Sequence, residues 1–150
     1  MHGYWEGPEE TEAVLTPDGH VRTGDAGCLR NGYLCLRDRL QNVIVSGGEN
    51  VYPVEVERVL LAHPQIADAA VIGVPSEKWR ETVRAVVVWS GLRSALTEND
   101  VIACTKESLA GYKCPTAVDF VDVLPRNPSG KVLKRVLREP YWTGRARGIG

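Results

Sequence analysis

Residues 68–89, DAAVIGVPSEKWRETVRAVVVW, hold two apolar runs on either side of a short polar stretch. Both runs, DAAVIGVP and VRAVVVW, are rich in β-branched residues and have the length of a strand. The polar SEKWRET between them separates one strand from the next. We therefore expect the two strands to pair in one small sheet.

Two helices are predicted around this pair of strands. Pro53 can occupy the first turn of a helix, in which apolar residues recur at helical spacing until a His-Pro pair stops it. Thr97, with Asp100 three residues later, resembles a capping arrangement for a second helix, which Gly111 can end.

The remaining apolar segments complete the pattern. NVIVS (42–46) and TAVDFVDVL (116–124) read as further strands, and KVLKRVLR (131–138) reads as a last short helix. From residue 43 onward, the order strand, helix, strand, strand, helix, strand is typical of an α+β domain of roughly 100 residues. We predict a small three-stranded sheet with flanking helices plus a β-hairpin.

The first 40 residues differ from the rest of the chain. Residues 1–30 are rich in Gly, Pro, Asp and Glu, so they read as loops and short strands, with TPDGH (16–20) as a turn. YLCLR (33–37) alternates like a strand, and the polar RDRLQ (37–41) after it suggests a hairpin or a joint between two strands. This joint is the candidate domain boundary.

Composition and charge are those of an ordinary soluble domain. The chain has 150 residues, 43% of them hydrophobic and 25% charged, with a net charge of -1, which gives no electrostatic case for nucleic acid. The four cysteines are scattered without a C-x-x-C pair, so we expect free thiols and no metal site. No apolar run is long enough to span a bilayer, and no secretory signal is present, so the predicted location is the cytoplasm.

One lysine is bracketed in an unusual way. In LPRNPSGKVLKR (124–135), two prolines and a glycine surround Lys131 on a tight, exposed turn. From the sequence alone, a solvated turn lysine is the more common explanation. Prolines would, however, also hold a reactive ammonium near one position, which lowers the cost of ordering it.

Three stretches together resemble the AMP-forming adenylating enzymes: RTGD (22–25), SGGENVYPVEVE (46–57) and LPRNPSGKVLKR (124–135). In this order, with LAGYK and a terminal PYW as well, the chain is similar to the carboxy-terminal part of a bacterial fatty-acid–CoA ligase. The resemblance covers nearly the whole chain, from about Gly3 to Trp142.

The resemblance implies a division of the chain. Residues 1–40 would be a loosely held remnant of a large nucleotide- and acid-binding domain, residues 41–142 a mobile lid, and residues 143–150 a tail. The implied enzyme is an acid–thiol ligase, an acyl-CoA synthetase. It joins a fatty acid or similar carboxylate to ATP and transfers the acyl-adenylate to coenzyme A, with Mg²⁺ held mainly by the missing domain.

The resemblance also assigns site residues. Lys131 would be catalytic in adenylation, while Asp25 would bind the ribose of ATP or AMP with Arg39 nearby. Gln41 falls at the hinge, where relatives usually carry Asp or Lys, and Gly48 with Gly47 would line the route of the coenzyme A thiol. A simple turn at the glycines, and an ion pair of Arg39 with Asp38 or Glu55, are the structural alternatives.

Other basic groups have weaker assignments. The run from Lys131 to Arg138, with Arg145 and Arg147, reads as a solvated helix face rather than an anion patch. Lys113, beside Tyr112, is a further candidate for phosphate contact.

One motif is missing from the sequence. No Ser/Thr/Gly-rich phosphate loop of the adenylating family is present, nor any other P-loop, so the chain alone is expected to be inactive. The alternative is a stand-alone coenzyme-A-binding or protein-interaction module without catalysis. Binding of coenzyme A by the isolated chain would separate the two hypotheses.

Overall fold

A computed structural model describes residues 1–91 and 96–144. The chain divides into two compact units, Met1–Leu40 and Gln41–Gly150. Arg145 and Arg147, which the sequence placed in a basic run, lie outside the described residues. That the first unit is a remnant and the second a lid stays a prediction.

The first unit contains one helix and one hairpin. Helix α1 (Pro8–Val14) begins with a proline and two glutamates, whereas the sequence predicted loops and short strands here. Strands β1 (Asp25–Arg30) and β2 (Tyr33–Arg39) pair antiparallel, so RDR continues the strand instead of forming a joint. Thr16 and His20 exchange the hydrogen bonds of the predicted TPDGH turn.

The hairpin is closed by a two-residue loop. Asn31 and Gly32 both have positive φ, 50° and 81°, as a type I′ turn requires. Leu29 and Leu34 are directly opposed in the register, and Leu36 follows two residues later on the same face. These leucines are 76%, 66% and 65% exposed, so the hairpin buries little apolar surface within its own unit.

The second unit is the α+β domain that the sequence predicted. Its elements are β3 (Ile44–Ser46), β4 (Glu49–Val51), α2 (Pro53–Leu61), β5 (Ile66–Ser76), β6 (Arg80–Trp89), α3 (Glu98–Ser108), β7 (Ala117–Val121) and α4 (Lys134–Trp142). Short 3-10 turns lie at Leu40–Asn42 and Gly111–Lys113.

Strand β6 is the centre of the sheet. It pairs antiparallel with β5 along its length, which confirms the pairing predicted from the two apolar runs, and it pairs parallel with β7. The hairpin of β3 and β4 joins at one end through the single pair Ser46 and Arg80. The predicted three-stranded sheet with its added hairpin is therefore one five-stranded sheet.

Helices cover both faces of this sheet. On one face, Val71, Val83 and Val87 pack with residues of α2 and α3, including Leu60 and Val101. Alternate strand residues point to the opposite face, where Ile72 and Val86 pack under α4. Each such buried aliphatic side chain contributes about 1.5–3 kcal/mol.

Two helix ends differ from the sequence predictions. The capping box of Thr97 and Asp100 is present, but α3 ends at Ser108, before Gly111, because Leu109 is extended. Helix α4 begins at Lys134 instead of residue 131. The preceding residues are used otherwise: Val132 bridges to Arg126, and the Leu133 amide donates to the carbonyl of Pro125.

Candidate functional site

Lys131 lies at the end of a turn that is held by its own side chains. The backbone N–H of Asn127 donates to the Lys131 carbonyl at 2.9 Å, and the backbone N–H of Gly130 donates to the backbone carbonyl of Asn127 at 2.9 Å. The Asn127 side-chain oxygen accepts from the Lys131 amide at 2.8 Å and from the Ser129 hydroxyl at 2.9 Å. Gly130 supplies the positive φ of 82° that the turn needs. Both the backbone N–H and the backbone carbonyl of Lys131 are therefore held by hydrogen bonds to Asn127.

Arg126 braces this turn against the sheet. One guanidinium nitrogen donates to the Gly130 carbonyl, and the other forms an ion pair with Asp68 of β5. Because the guanidinium is planar, both contacts restrict the same group. The turn therefore cannot move far without breaking a charged contact.

The lysines around the site differ in what their ammonium groups contact. Lys134 pairs with Glu57 at 2.7 Å, and Lys113 pairs with Glu55 at 2.7 Å. Lys131 is exposed, and within residues 1–91 and 96–144 its ammonium has no ion-pair or hydrogen-bond partner. Of these three groups, the one on the braced turn is available to a ligand.

These contacts correct two assignments made from the sequence. Lys134 does not belong to a solvated helix face, since its side chain is only 14% exposed and its charge is paired with Glu57. Both oxygens of Glu55 already accept from Lys113, so the ammonium of Lys113 is taken by a carboxylate instead of a phosphate.

Asp25 and Arg39 meet at the open end of the first hairpin. They are directly opposed in the register of β1 and β2, and Arg39 Nε lies 2.9 Å from Asp25 Oδ1. Arg39 Nη1 also donates to the Thr23 carbonyl at 3.0 Å. The sequence offered Asp38 or Glu55 as the partner of Arg39, but the carboxylate is that of Asp25 because the strand register brings the two together.

Gly47 and Gly48 form the tip of the β3–β4 hairpin. Both have positive φ, 60° and 87°, so they make the two-residue turn of a hairpin instead of leading directly into the helix. A Cβ on Gly47 would lie 2.8 Å from the ring of Trp79, whereas one on Gly48 would meet nothing within 4 Å. The turn is therefore packed on one side and open on the other.

A pocket of about 400 Å³ lies beside this turn. The residues that line it come from β3, β4, β6 and the chain around the second 3-10 turn: Ser46, Gly47, Glu49, Trp79, Thr82, Val83, Gly111, Tyr112, Cys114 and Thr116. It offers two aromatic side chains, hydroxyl groups and one carboxylate. Such a lining can contact both apolar and polar parts of a ligand.

Gln41 is the first residue of the second unit and lies in the first 3-10 turn. Its carbonyl accepts a hydrogen bond of 3.0 Å from Arg138 of α4. Arg138 therefore has a structural contact and, like Lys134, is not simply part of a solvated face.

Two further findings bear on the class of site. Within the part of the chain that the structure describes, no group of three His, Cys, Asp or Glu side chains could hold a metal ion. No helix in the same residues has both the length and the apolar character needed to cross a membrane.

Sequence reasoning missed several residues that shape the site. Asn127 begins an Asn-Pro-Ser-Gly segment, which is a recognisable turn signal. Arg126 and Trp79 had no comparable signal, since their roles depend on the long-range contacts with Asp68 and Gly47.

Comparison with known proteins places this geometry in a family. Residues 55–131 match the model of the AMP-binding enzyme C-terminal domain, so the chain belongs to that family. A methyl-dioxo-octahydroindenyl-propanoyl:CoA ligase of Rhodococcus jostii is 51% identical over 93% of the chain. The long-chain-fatty-acid–CoA ligase FadD13 of Mycobacterium tuberculosis is 45% identical over 92% of it.

The fold of the chain is also similar to that of a protein of known structure. ATP-bound MatB from Rhodopseudomonas palustris matches 93% of the chain with a TM-score of 0.85 and 42% identity. The chain spans only 27% of the length of the two ligases and 28% of the MatB chain. What matches is therefore one part of proteins that are considerably longer.

Proposed function

We propose that the chain is the mobile C-terminal lid of an AMP-forming acid–thiol ligase. The complete enzyme would activate a fatty acid or a similar carboxylate with ATP and transfer the acyl group from the adenylate to coenzyme A. The observation that carries the proposal is the ammonium of Lys131, which has no partner among the described residues and lies on a turn that Asn127 and Arg126 hold in place. The names of the relatives, which are CoA ligases, support the same reaction class.

Lys131 would act in the adenylation step. When a carboxylate attacks the α-phosphorus of ATP and pyrophosphate leaves, negative charge gathers on the phosphorus oxygens. A cation that is already in position stabilises this charge without further reorganisation. The turn fixes the backbone of Lys131, and within residues 1–91 and 96–144 no carboxylate neutralises its ammonium, so we assign this role to its side chain.

Asp25 and Arg39 would serve the nucleotide. A carboxylate can accept hydrogen bonds from two vicinal ribose hydroxyls at once. The contact of Arg39 with one oxygen of Asp25 keeps this carboxylate oriented. We propose that the pair acts as one unit.

The open side of the Gly47–Gly48 turn would serve the thiol step. A thin pantetheine arm needs a passage that side chains do not block, and Gly48 leaves such a space. The pocket next to the turn, with the faces of Trp79 and Tyr112, gives the rest of the coenzyme a surface for stacking. For the lid to serve both steps it must turn, and we place that hinge at Gln41.

The missing parts belong to the larger domain in this proposal. That domain would supply the phosphate loop, the acyl pocket and most of the contacts to Mg²⁺. A cytoplasmic location stays a prediction from the scattered cysteines.

A hybrid enzyme tests the role of Lys131. The chain replaces the matching C-terminal part of FadD13, and both half-reactions are measured: pyrophosphate exchange with a long-chain fatty acid, and thioester formation from a supplied acyl-adenylate. Lys131→Ala should lower exchange by about 10²–10³-fold, the usual effect of removing one preorganised donor. Thioester formation should change far less, because Lys131 is assigned to the first step only.

Lys106→Ala is the matched control, since Lys106 is an exposed lysine on α3 away from the turn. Gly48→Ala is the converse variant, and it should slow thioester formation while exchange continues. Full exchange activity in the Lys131→Ala hybrid would rule out the catalytic assignment. Tight binding of coenzyme A by the isolated chain, measured by calorimetry, would instead favour a stand-alone binding module.

A further inference from the structure

Two of the four cysteines face each other across the first hairpin. The register of β1 and β2 pairs Cys28 directly with Cys35, and both are free thiols of intermediate exposure. Directly opposed residues of an antiparallel pair have side chains on the same face. The two sulfur atoms are therefore neighbours by construction of the hairpin.

The turn fixes this register. Asn31 and Gly32 take the two positive φ values of a type I′ turn, which leaves Arg30 opposite Tyr33 and Cys28 opposite Cys35. The irregularity in the ladder lies further along, between Ala26 and Gly27, so the cysteines sit in the regular part. A slip that separated them would require remaking the turn.

The expected geometry is within reach of a disulfide. Arg30 and Tyr33, next to the two-residue loop, are a hydrogen-bonded pair, and the two kinds of pair alternate along the ladder, so Cys28 and Cys35 are a hydrogen-bonded pair as well. The Cα atoms of such a pair lie about 5.5 Å apart, inside the range of about 4.4–6.8 Å seen in disulfides. Opposed Cβ atoms lie about 4.5–5.5 Å apart, slightly more than the usual 3.5–4.5 Å, so closing the bond asks for a small increase in the local twist. The thiol of Cys35 points toward the Tyr33 carbonyl, at 4.0 Å, so it must also rotate about its side-chain torsion to reach Cys28.

We propose that Cys28 and Cys35 form a reversible thiol–disulfide site that reacts with small-molecule disulfides such as oxidised glutathione. The thiolate of one cysteine attacks a sulfur of the small disulfide, breaks its S–S bond and expels one small thiolate. The second cysteine then attacks the protein sulfur of this mixed disulfide and expels the other. The protein loses two electrons and two protons, and both pass to the two small thiols that are released.

The other cysteines lack this arrangement. Cys104 lies on α3, where burial raises the pKa of its thiol and the charge of Glu107 adds to the effect, so it is less often the reactive thiolate. Cys114 is buried, and its thiol donates to the Leu109 and Ala110 carbonyls. The hairpin pair should therefore oxidise first.

The test uses the full chain. Reduced protein is incubated with oxidised glutathione at mildly alkaline pH, which favours the attacking thiolate, then quenched with acid, alkylated and digested with trypsin. Because Arg30 lies between the cysteines, Cys28 and Cys35 fall on different tryptic peptides, and a disulfide joins the two. The proposal expects this linked pair in monomeric protein, and expects reductant to release it.

Single variants sharpen the result. Cys28→Ser should leave Cys35 as a lasting mixed disulfide with glutathione, because the resolving thiol is gone. Cys104→Ser is the matched control and should form the linked peptides as the parent chain does. Separate glutathione adducts on both hairpin cysteines without any link, or a link between two chains only, would overturn the proposal.

Hydrogen exchange gives an independent readout. The oxidised chain should protect the β1 and β2 amides more than the reduced chain, since the bond restricts opening of the hairpin. The Cys28→Ser chain should show no such gain under the same oxidant. Equal gains in both would mean that the protection does not come from the cross-strand bond.

Discussion

At the scale of single residues, one surface turn places two glycines in different surroundings. Gly47 and Gly48 both have backbone angles that L side chains adopt only at a cost of about 1–2 kcal/mol. A methyl group on Gly47 would also press on the ring of Trp79, whereas Gly48 faces open space. Substitutions at the two positions can therefore separate the cost of backbone strain from the cost of a clash with Trp79.

We predict that Gly47→Ala lowers the free energy of unfolding by more than Gly48→Ala does. The second variant should lose about 1–2 kcal/mol from backbone strain alone. The first should lose this and the additional cost of displacing the indole ring. Urea denaturation of both variants beside the parent chain measures the difference.

Gly91→Ala is a suitable reference, because its added Cβ meets nothing and its φ is not positive. Equal losses for Gly47→Ala and Gly48→Ala would show that the Trp79 ring moves aside freely. In that case the side of the pocket formed by the Trp79 side chain is mobile.

At the scale of elements, α4 is tied to the sheet by a polar cluster as well as by apolar packing. The Tyr141 hydroxyl donates to Asp119 of β7, which also pairs with Arg84 of β6 at 2.6 Å. The guanidinium of Arg84 lies 4.7 Å from the centre of the Tyr141 ring. One carboxylate, one cation and one aromatic ring thus join three elements of the fold.

Because of this cluster, the free energy of unfolding changes with pH in the alkaline range. Burial raises the pKa of the Tyr141 hydroxyl above its ordinary value near 10, and the hydrogen bond to Asp119 adds to the rise against the opposing charge of Arg84. The folded state holds the proton more tightly than the unfolded state. The stabilisation is therefore complete below pH of about 10 and is lost as pH rises through the folded pKa.

We predict that Tyr141→Phe costs about 1 kcal/mol at neutral pH, the usual contribution of one hydrogen bond. Above pH of about 10 the gap to the parent chain should narrow, because ionisation removes the same hydrogen bond from the parent. Urea denaturation from neutral to strongly alkaline pH measures this gap. Tyr33→Phe, at a hydroxyl on the exposed hairpin, should show no comparable narrowing.

The elements that could be predicted from the sequence are those with a clear period or run. The strands β5 and β6 follow from uninterrupted β-branched residues, and α2 follows from its proline start and apolar spacing. Helix α1 was missed because no residue of it is buried, so it has no apolar stripe to reveal it. The start of α4 was misplaced because residues 131–133 have helical composition but belong to the turn and its bridge.

For the candidate site, the family resemblance named residues whose roles stay predictions, and it did not indicate the contacts that these residues make. The turn signal around Lys131 is local and readable, whereas the meeting of Asp25 with Arg39 depends on the strand register. In the same way, only the fold shows that Glu57 takes the charge of Lys134 and leaves Lys131 available. Contacts between residues far apart in the chain carry most of what could not be predicted.

At the scale of the whole molecule, the two units differ in how much apolar surface they bury. The buried hydrophobic side chains of the described chain begin at Ile44, and none lies within Met1–Leu40. Because burial is the main source of stability, the first unit has little to hold it closed.

We predict that amides of Met1–Leu40 exchange with deuterium much faster than those of β5 and β6. Opening of the first unit exposes little apolar surface, whereas exchange in the central strands requires opening of the core. Native-state hydrogen exchange read by mass spectrometry gives the comparison. Protection in the first unit equal to that of the central strands would contradict the expectation.

The leucine face of the first hairpin has a practical consequence for anyone who handles the protein. Leu29, Leu34 and Leu36 form an exposed apolar strip, and in concentrated samples such strips on different molecules associate with one another. A shortened chain that begins at Gln41 keeps all the buried hydrophobic residues of the described chain and lacks this strip. We expect it to aggregate less than the full chain.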